Sequence, residues 1–292
     1  MNWEYLIWAS TIKNWDYCEI EAYLTAKKKP KSIIDSETAF NFLKHDAYEE
    51  TYLKKWDVIK NKEKITAEEL KDYTLSKIDD VVLKKWDRTI WPALQIDSKK
   101  MRREEYTEIF KDEIEKNLDK ICENVVKNIN NKTKEIEFNY IAECKDWDLL
   151  KDLDYGIGAR PDLIIGMGTS NLRIADIKNV KEEYMRGIQL QNAAGYLVVK
   201  KNKDGLARKL NMNPEKVGVD RVTIFEDYNT GNEIIYRIKD EDIQEVIDIA
   251  SSIRCKKIPS KHQVCYENKE SKCVVKDVCI KLFGNVADNF EF

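Results

Sequence analysis

No stretch of this chain approaches the roughly 20 consecutive apolar residues that a membrane-spanning helix needs. Its start, Met1-Asn2-Trp3-Glu4, has neither the basic opening nor the apolar run of a secretory signal. Both absences lead to the expectation of a cytoplasmic protein with no membrane partner, in a compartment where structural disulfides are rare. An excess of either charge is missing too: 50 Lys and Arg face 53 Asp and Glu, for a net charge of −3. Global charge therefore gives no argument for a polyanionic partner, and any nucleic-acid surface has to be local. Lys27-Lys28-Lys29-Pro30-Lys31 and the run around Lys99, Lys100, Arg102 and Arg103 are candidates, although solvated helix faces carry the same residues. Internal repeats and low-complexity linkers are absent as well, which excludes a solenoid array.

What is present is an ordinary apolar share, 42%, in 292 residues, enough for one large core or two modest ones. From Ser36, read as a helix N-cap ahead of Ala39, Phe40, Phe42 and Leu43, to about Asn130 the chain is Lys/Glu-rich with apolar residues at helical spacing. Thr66-Ala67-Glu68-Glu69 reads as a capping box, and Trp91-Pro92 as a break between helices. After Lys134 the texture changes. Ile136 to Ala142 alternates apolar and polar, Leu163-Ile164-Ile165-Gly166 is a short apolar run, and Leu172 to Lys178 alternates again beyond the turn Gly168-Thr169-Ser170-Asn171. Ile188 to Val199 reads as a buried helix. Val222 to Phe225 and Ile234 to Arg237 flank Asn229-Thr230-Gly231-Asn232 as a second hairpin, and Glu241 to Ile253 is an amphipathic helix. The expected class is α/β, with an all-helical insertion.

Three polar residues stand where apolar strands end. Asp162 opens one predicted strand, and Asp176 and Lys178 lie near the end of the next, two apart and so on one face. Pairing of the two strands across the Gly168 turn brings all three together. Carboxylates that converge can hold a hard divalent cation, and a nearby lysine can orient or deprotonate a water and offset charge on a phosphate. An ordinary strand-end salt bridge is the plain alternative.

Pro161-Asp162 followed by Asp176-Ile177-Lys178 resembles the signature of the PD-(D/E)XK nucleases. Gln189-Leu190-Gln191-Asn192-Ala193-Ala194-Gly195-Tyr196 resembles the Gln…Tyr helix of the RecB-like branch, with Gln189 or Gln191 as the site glutamine. The usual Tyr follows the Gln by four, whereas Tyr196 follows Gln189 by seven, still on one helical face. Leu43 to Glu50 is similar to the branch's upstream His segment without its preceding Gly; His45 is one of only two histidines. The resemblance implies a restriction-endonuclease-like core, a mixed central sheet flanked by helices. It also implies Mg²⁺ or Mn²⁺ held by His45, Asp162, Asp176 and the carbonyl of Ile177, with Lys178 and Gln189 completing the catalytic set. Glu137 or Glu143 can complete the acidic cluster. Trp3, Trp8 and Trp15 can stack on bases or belong to the core.

Ser10 to Cys18 resembles the N-terminal segment of RecB-like nucleases that carry an iron–sulfur cluster, and Cys273 and Cys279 match the last spacing of their late cysteines. Where the family has Cys-x₂-Cys, position 270 is Glu, so the resemblance implies a [4Fe-4S] cluster on Cys18, Cys265, Cys273 and Cys279. Zn²⁺ suits four thiolates equally, Cys255 can stand in for Cys265, and unligated cysteines remain an alternative. Cys122 and Cys144 read as small buried hydrophobes, and His262 as a surface residue. The expected organisation is an N-terminal segment over 1–50, a helical insertion over 51–132, a nuclease core over 133–254, and a cysteine-containing segment over 255–292 that packs back on the N-terminus. The expected function is a deoxyribonuclease, an exonuclease acting on DNA ends or single strands, with a protein partner possible through the insertion. A non-catalytic DNA-binding or assembly subunit, or an endonuclease of the same superfamily, is the rival.

Overall fold

The computed structural model describes residues 6–28, 34–131, 138–142, 144, 146–168, 170–181 and 184–255. Cys265, Cys273, Cys279, His262, Glu137, Glu143 and Trp3 lie outside the described residues.

Two adjacent strands organise the rest. β5 (Leu163–Met167) pairs antiparallel with β6 (Asn171–Lys178), in a register that sets Leu163 opposite Ala175. Between them Gly168 adopts φ +58, the left-handed conformation that the tight turn demands. After β6 the chain crosses over through α7 (Met185–Lys201) and returns in β7 (Gly218–Asp227), parallel to β6. β2 (Phe138–Ala142) adds to the outer edge of β5, and β8 (Glu233–Arg237) to β7, both antiparallel. The order β2-β5-β6-β7-β8 is thus a mixed five-stranded sheet in a mixed α/β protein. The two expected hairpins and the expected buried helix occupy their places. Two-residue strands β1 (Ile7–Trp8), β3 (Lys151–Asp152) and β4 (Ile157–Gly158) form a second, small sheet that the apolar pattern did not announce.

Because strand side chains alternate, the sheet presents two different faces. Ile164, Leu172 and Ile174 point into a cluster with Ile12 of α1 (Ala9–Trp15), the apolar face of α7, and Val246, Ala250 and Ile253 of α9 (Asp240–Arg254). Leu163, Ile165 and Ala175 point the other way, against Trp56 of α3 (Ser36–Asn61). Ile177 joins that second side, buried with α3, α4 (Ala67–Lys85) and α6 (Arg103–Asn131). In α6, Tyr106, Phe110, Ile114, Leu118, Ile121, Val125 and Ile129 recur every three or four residues and are all buried, the stripe of a helix facing a core. Gly231, at φ +73, lets the β7–β8 turn lie on that helix, since a Cβ there would come within 2.4 Å of the Ile121 carbonyl oxygen. The helical block is therefore built onto one face of the sheet. Its first helix, α3, runs unbroken through the boundary expected at residue 50.

Local details refine two expectations. The N-cap of α3 is Asp35, whose carboxylate accepts from the Thr38 N–H at 2.7 Å; Ser36 is already helical. Trp91-Pro92 does not break the chain. A π-helical turn, Trp86–Ile90, leads directly into α5 (Trp91–Ile96), where Pro92 sits in the first turn and needs no N–H partner. The Thr66–Glu69 capping box is present at the start of α4. Among the described residues no helix is long and apolar enough to cross a membrane.

Candidate metal centre

The antiparallel register carries one step past Leu163 and Ala175 to set Asp162 beside Asp176. The Asp162 N–H donates to Asp176 Oδ1 at 3.1 Å, and Asp162 Oδ2 accepts from the Ile177 N–H at 2.8 Å. Lys178, on the same face as Asp176, brings its Nζ to 3.3 Å from Asp162 Oδ2 and 3.7 Å from Asp176 Oδ2. From the opposite face α3 supplies His45, whose Nε2 lies 3.0 Å from the Ile177 carbonyl oxygen and 3.9 Å from Asp162 Oδ2. The side chains of Asp176, Lys178, Asp162 and His45 are 4%, 14%, 20% and 30% exposed, so the cluster grades from buried to open.

The surroundings fix these groups. Tyr228 meets the His45 ring edge-on at 6.0 Å and stacks on Tyr48, which leaves Nε2 aimed at the strand end and Nδ1 3.9 Å from Asp46. The Tyr228 N–H donates to the Lys178 carbonyl, holding the end of β6. On α7, Asn192 is buried and donates from Nδ2 to Asp176 Oδ2 at 3.0 Å. From α1 comes Lys13, within electrostatic reach of Lys178, Asp176 and Asp162. Its approach depends on Gly187: a Cβ there would stand 2.9 Å from the Lys13 carbonyl oxygen.

Charge in this cluster is strongly coupled. Burial pushes the Asp176 carboxyl above its ordinary range, with Asp162 adding to the rise against the pull of Lys178. Burial pulls Lys178 down, but Asp162 and Asp176 outweigh it and hold the ammonium well above its usual value. Burial likewise lowers Lys13, and Lys178 lowers it further. For His45, burial is overcome by Asp46 and Asp162, and the imidazolium is favoured. A proton must therefore leave His45 Nε2 before it can ligate a metal.

His45, the Ile177 carbonyl and Asp162 supply part of a donor set for a divalent cation. With Mg²⁺–O or Mn²⁺–O bonds near 2.1 Å, adjacent octahedral ligands stand about 3.0 Å apart. His45 Nε2 and the Ile177 carbonyl are at that spacing, with Asp162 Oδ2 within a small side-chain adjustment. Carboxylates and a carbonyl suit Mg²⁺ and Mn²⁺, and the single imidazole tilts the preference towards Mn²⁺. Glu49, one turn beyond His45 on α3, adds another carboxylate: one ligand atom each from His45, Asp46 and Glu49 lie within 4.8 Å of one another.

The structure thus brings together Asp162, Asp176, Lys178, His45 and the Ile177 carbonyl. Gln189 Oε1 accepts from Arg186, which is itself tied to Asp242 and Glu245 of α9. Gln191 lies one turn from both Gly187, against Lys13, and Gly195, against Pro161 and Ile174. Its Oε1 is buried and has no hydrogen-bond partner among the described residues. Asn192 and Lys13 were not singled out from sequence. Asn192 lay one helical turn from Gln189 in a helix already marked; no spacing announces Lys13, which arrives only through α1–α7 packing. Asn192→Leu is expected to weaken Mn²⁺ binding by about tenfold or more, since outer hydrogen bonds to ligands typically count for 10–100-fold in affinity. Calorimetric titration of the folded variant checks it; unchanged affinity would remove Asn192 from the metal's support.

Among the cysteines, Cys18 is buried, and its Sγ accepts from the Glu21 N–H at 3.3 Å in the first turn of α2 (Glu19–Lys28). Cys122 and Cys144 are buried, with burial raising the Cys122 thiol to about 12, and Cys255 is exposed. No protein-family profile matches this chain, and no curated protein matches it either.

Proposed function

We propose that this chain is a Mn²⁺- or Mg²⁺-dependent nuclease of the PD-(D/E)XK type, close to the RecB-like branch, that hydrolyses DNA from ends or in single strands. One observation carries the reading: Asp162, Asp176 and Lys178 converge from adjacent strand ends, and His45 from the facing helix lies 3.0 Å from the Ile177 carbonyl. A salt bridge at a strand end does not call for the histidine, the carbonyl or a second lysine.

His45, Asp162, Asp176 and the Ile177 carbonyl would hold a divalent cation, which would supply Lewis-acid activation of the phosphate and lower the pKa of a water. Lys178, whose ammonium lies beside both carboxylates, would orient an attacking water and offset charge that grows on the phosphoryl oxygens. Asn192 holds Asp176 by its amide, and Tyr228 holds the His45 ring, so neither ligand has to be ordered during reaction. Lys13 adds positive charge on the α1 side, where a phosphodiester anion is the complementary ligand.

The test is incubation of end-labelled single- and double-stranded DNA, and matching RNA, with the protein in Mn²⁺, with and without chelator. Metal-dependent shortening from an end supports the exonuclease; discrete internal fragments move the assignment to an endonuclease. Binding without cleavage would transfer the protein to the non-catalytic rival.

The [4Fe-4S] reading for Cys18, Cys265, Cys273 and Cys279 rests on their resemblance and on Cys18, the one described member. Cys18 is buried where α2 begins. Anaerobically purified protein is expected to contain iron and acid-labile sulfide that Cys18→Ser loses. Zinc in place of iron would substitute the alternative metal, and neither metal would leave the cysteines as thiols.

A further inference from the structure

We propose that Lys13 is a second catalytic lysine, the group that gives a proton to the departing sugar oxygen when the phosphodiester is cut. This rests on the nuclease reading and assigns the half of the reaction that Lys178 leaves open. In an in-line displacement the departing oxygen emerges on the side of phosphorus away from the attacking water, so the group beside the water does not also serve it. The other proton carriers of the centre are committed. Lys178 is held by Asp162 and Asp176, which keep its ammonium well above the ordinary lysine range. His45 Nε2 faces the Ile177 carbonyl at 3.0 Å, and as a metal ligand it carries no proton. The Asn192 amide bonds to Asp176 and to the Ile188 carbonyl, and burial makes the Tyr228 hydroxyl hold its proton more tightly.

Lys13 differs from all of these. It is half-buried, yet its ammonium forms no ion pair and no hydrogen bond among the described residues. Buried Lys55, by contrast, has Glu226 and Glu233. A cation withdrawn from water without a partner is costly, and an anion arriving at the site removes that cost. Its stem is fixed rather than free. A Cβ at Gly187 would stand 2.9 Å from the Lys13 carbonyl oxygen and 3.2 Å from Lys13 Cγ, and Tyr17 bonds to the Tyr184 carbonyl, ring edge against ring. α1 and α7 pack on the face to which Asp176 and Lys178 point, so Lys13 comes within electrostatic reach of both. Burial and Lys178 loosen the Lys13 proton, the direction that suits a donor. The step balances. Water oxygen bonds to phosphorus, the bond from phosphorus to the sugar oxygen breaks with its electron pair on that oxygen, and the Lys13 proton neutralises it. The amine regains a proton from solvent, which has taken the one that the water lost.

The experiment compares single-turnover cleavage in Mn²⁺ of an ordinary oligodeoxynucleotide and of one with sulfur as the departing bridging atom, its position read from the product ends. Wild type, Lys13→Met and Lys13→Arg are each confirmed folded. A thiolate, a far weaker base than an alkoxide, leaves without a proton. We expect Lys13→Met to be about 10²–10⁴-fold slower on the oxygen substrate and within about tenfold of wild type on the sulfur one. Lys13→Arg keeps the charge but holds its proton too tightly, and should stay at least about tenfold slower on oxygen. Equal slowing of Lys13→Met on both substrates would make Lys13 a phosphate-positioning group and overturn the proposal. So would a Lys13→Arg rate within about threefold of wild type, or a Lys13→Met rate equal to it, and each leaves the nuclease standing. If wild type cuts neither substrate, the nuclease reading falls and the proposal with it.

Discussion

On the proposed function, Lys178→Met is expected to hydrolyse DNA about 10²–10⁴-fold more slowly than wild type while binding Mn²⁺ no more weakly, the range that proton-handling groups contribute to rate. The two effects part company for an electrostatic reason. Lys178 lies 3.3 Å and 3.7 Å from the carboxylate oxygens of Asp162 and Asp176, so it neutralises the charge a cation would otherwise meet. Its removal leaves two adjacent carboxylates, one already pushed upward by burial, with less opposing charge. The metal-free variant should therefore unfold at a lower temperature, and saturating Mn²⁺ should raise its Tm by more than it raises that of wild type. Thermal melts with and without Mn²⁺, beside single-turnover rates, read both halves. A Lys178→Met protein that loses metal affinity and rate together would make the lysine part of the ligand framework instead.

Lys55→Ala will cost about 3–5 kcal/mol of stability, the range for removing one partner of a buried ion pair. Lys55 and Glu226 are both fully buried, with Nζ at 2.8 Å and 2.7 Å from the two carboxylate oxygens, and Glu233 completes the contact. Removing the ammonium leaves buried carboxylates facing each other across β7 and β8. This lock joins the middle of α3 to the sheet, and α3 carries His45 to the end of β6. The variant should therefore also lose metal affinity, whereas Lys55→Met with Glu226→Leu should recover much of the stability, since apolar replacement of a buried pair is often neutral. Urea unfolding of the single and double variants decides it. A loss below about 1 kcal/mol would mean that water reaches the pair and screens it.

The strands around the centre were legible because their pattern is local. The apolar run at 163–166, the turn at Gly168 and the alternation to Lys178 place Asp162 and Asp176 at neighbouring strand ends without tertiary information. His45 reached the site through resemblance alone; periodicity says that it is helical, and not that α3 crosses the open end of β6. The small sheet escaped because two-residue strands have no period. The π turn escaped because Trp91-Pro92 carries the same signal whether a helix ends or merely widens there. Asn192 and Lys13 mark the harder limit. Both depend on how closely α1, α7 and β6 approach, which Gly187 permits without announcing it.

The most direct measurement is the single-turnover rate of Mn²⁺-dependent cleavage of single-stranded DNA by wild type beside Asp162→Asn, each confirmed folded. Asp162 touches the Ile177 N–H, the Lys178 ammonium and the His45 imidazole, so one oxygen-for-amide exchange disturbs the whole centre with little change of shape. Cleavage by wild type that falls at least about 10³-fold in Asp162→Asn is the predicted result. Equal cleavage by both proteins would place the chemistry elsewhere and contradict the account.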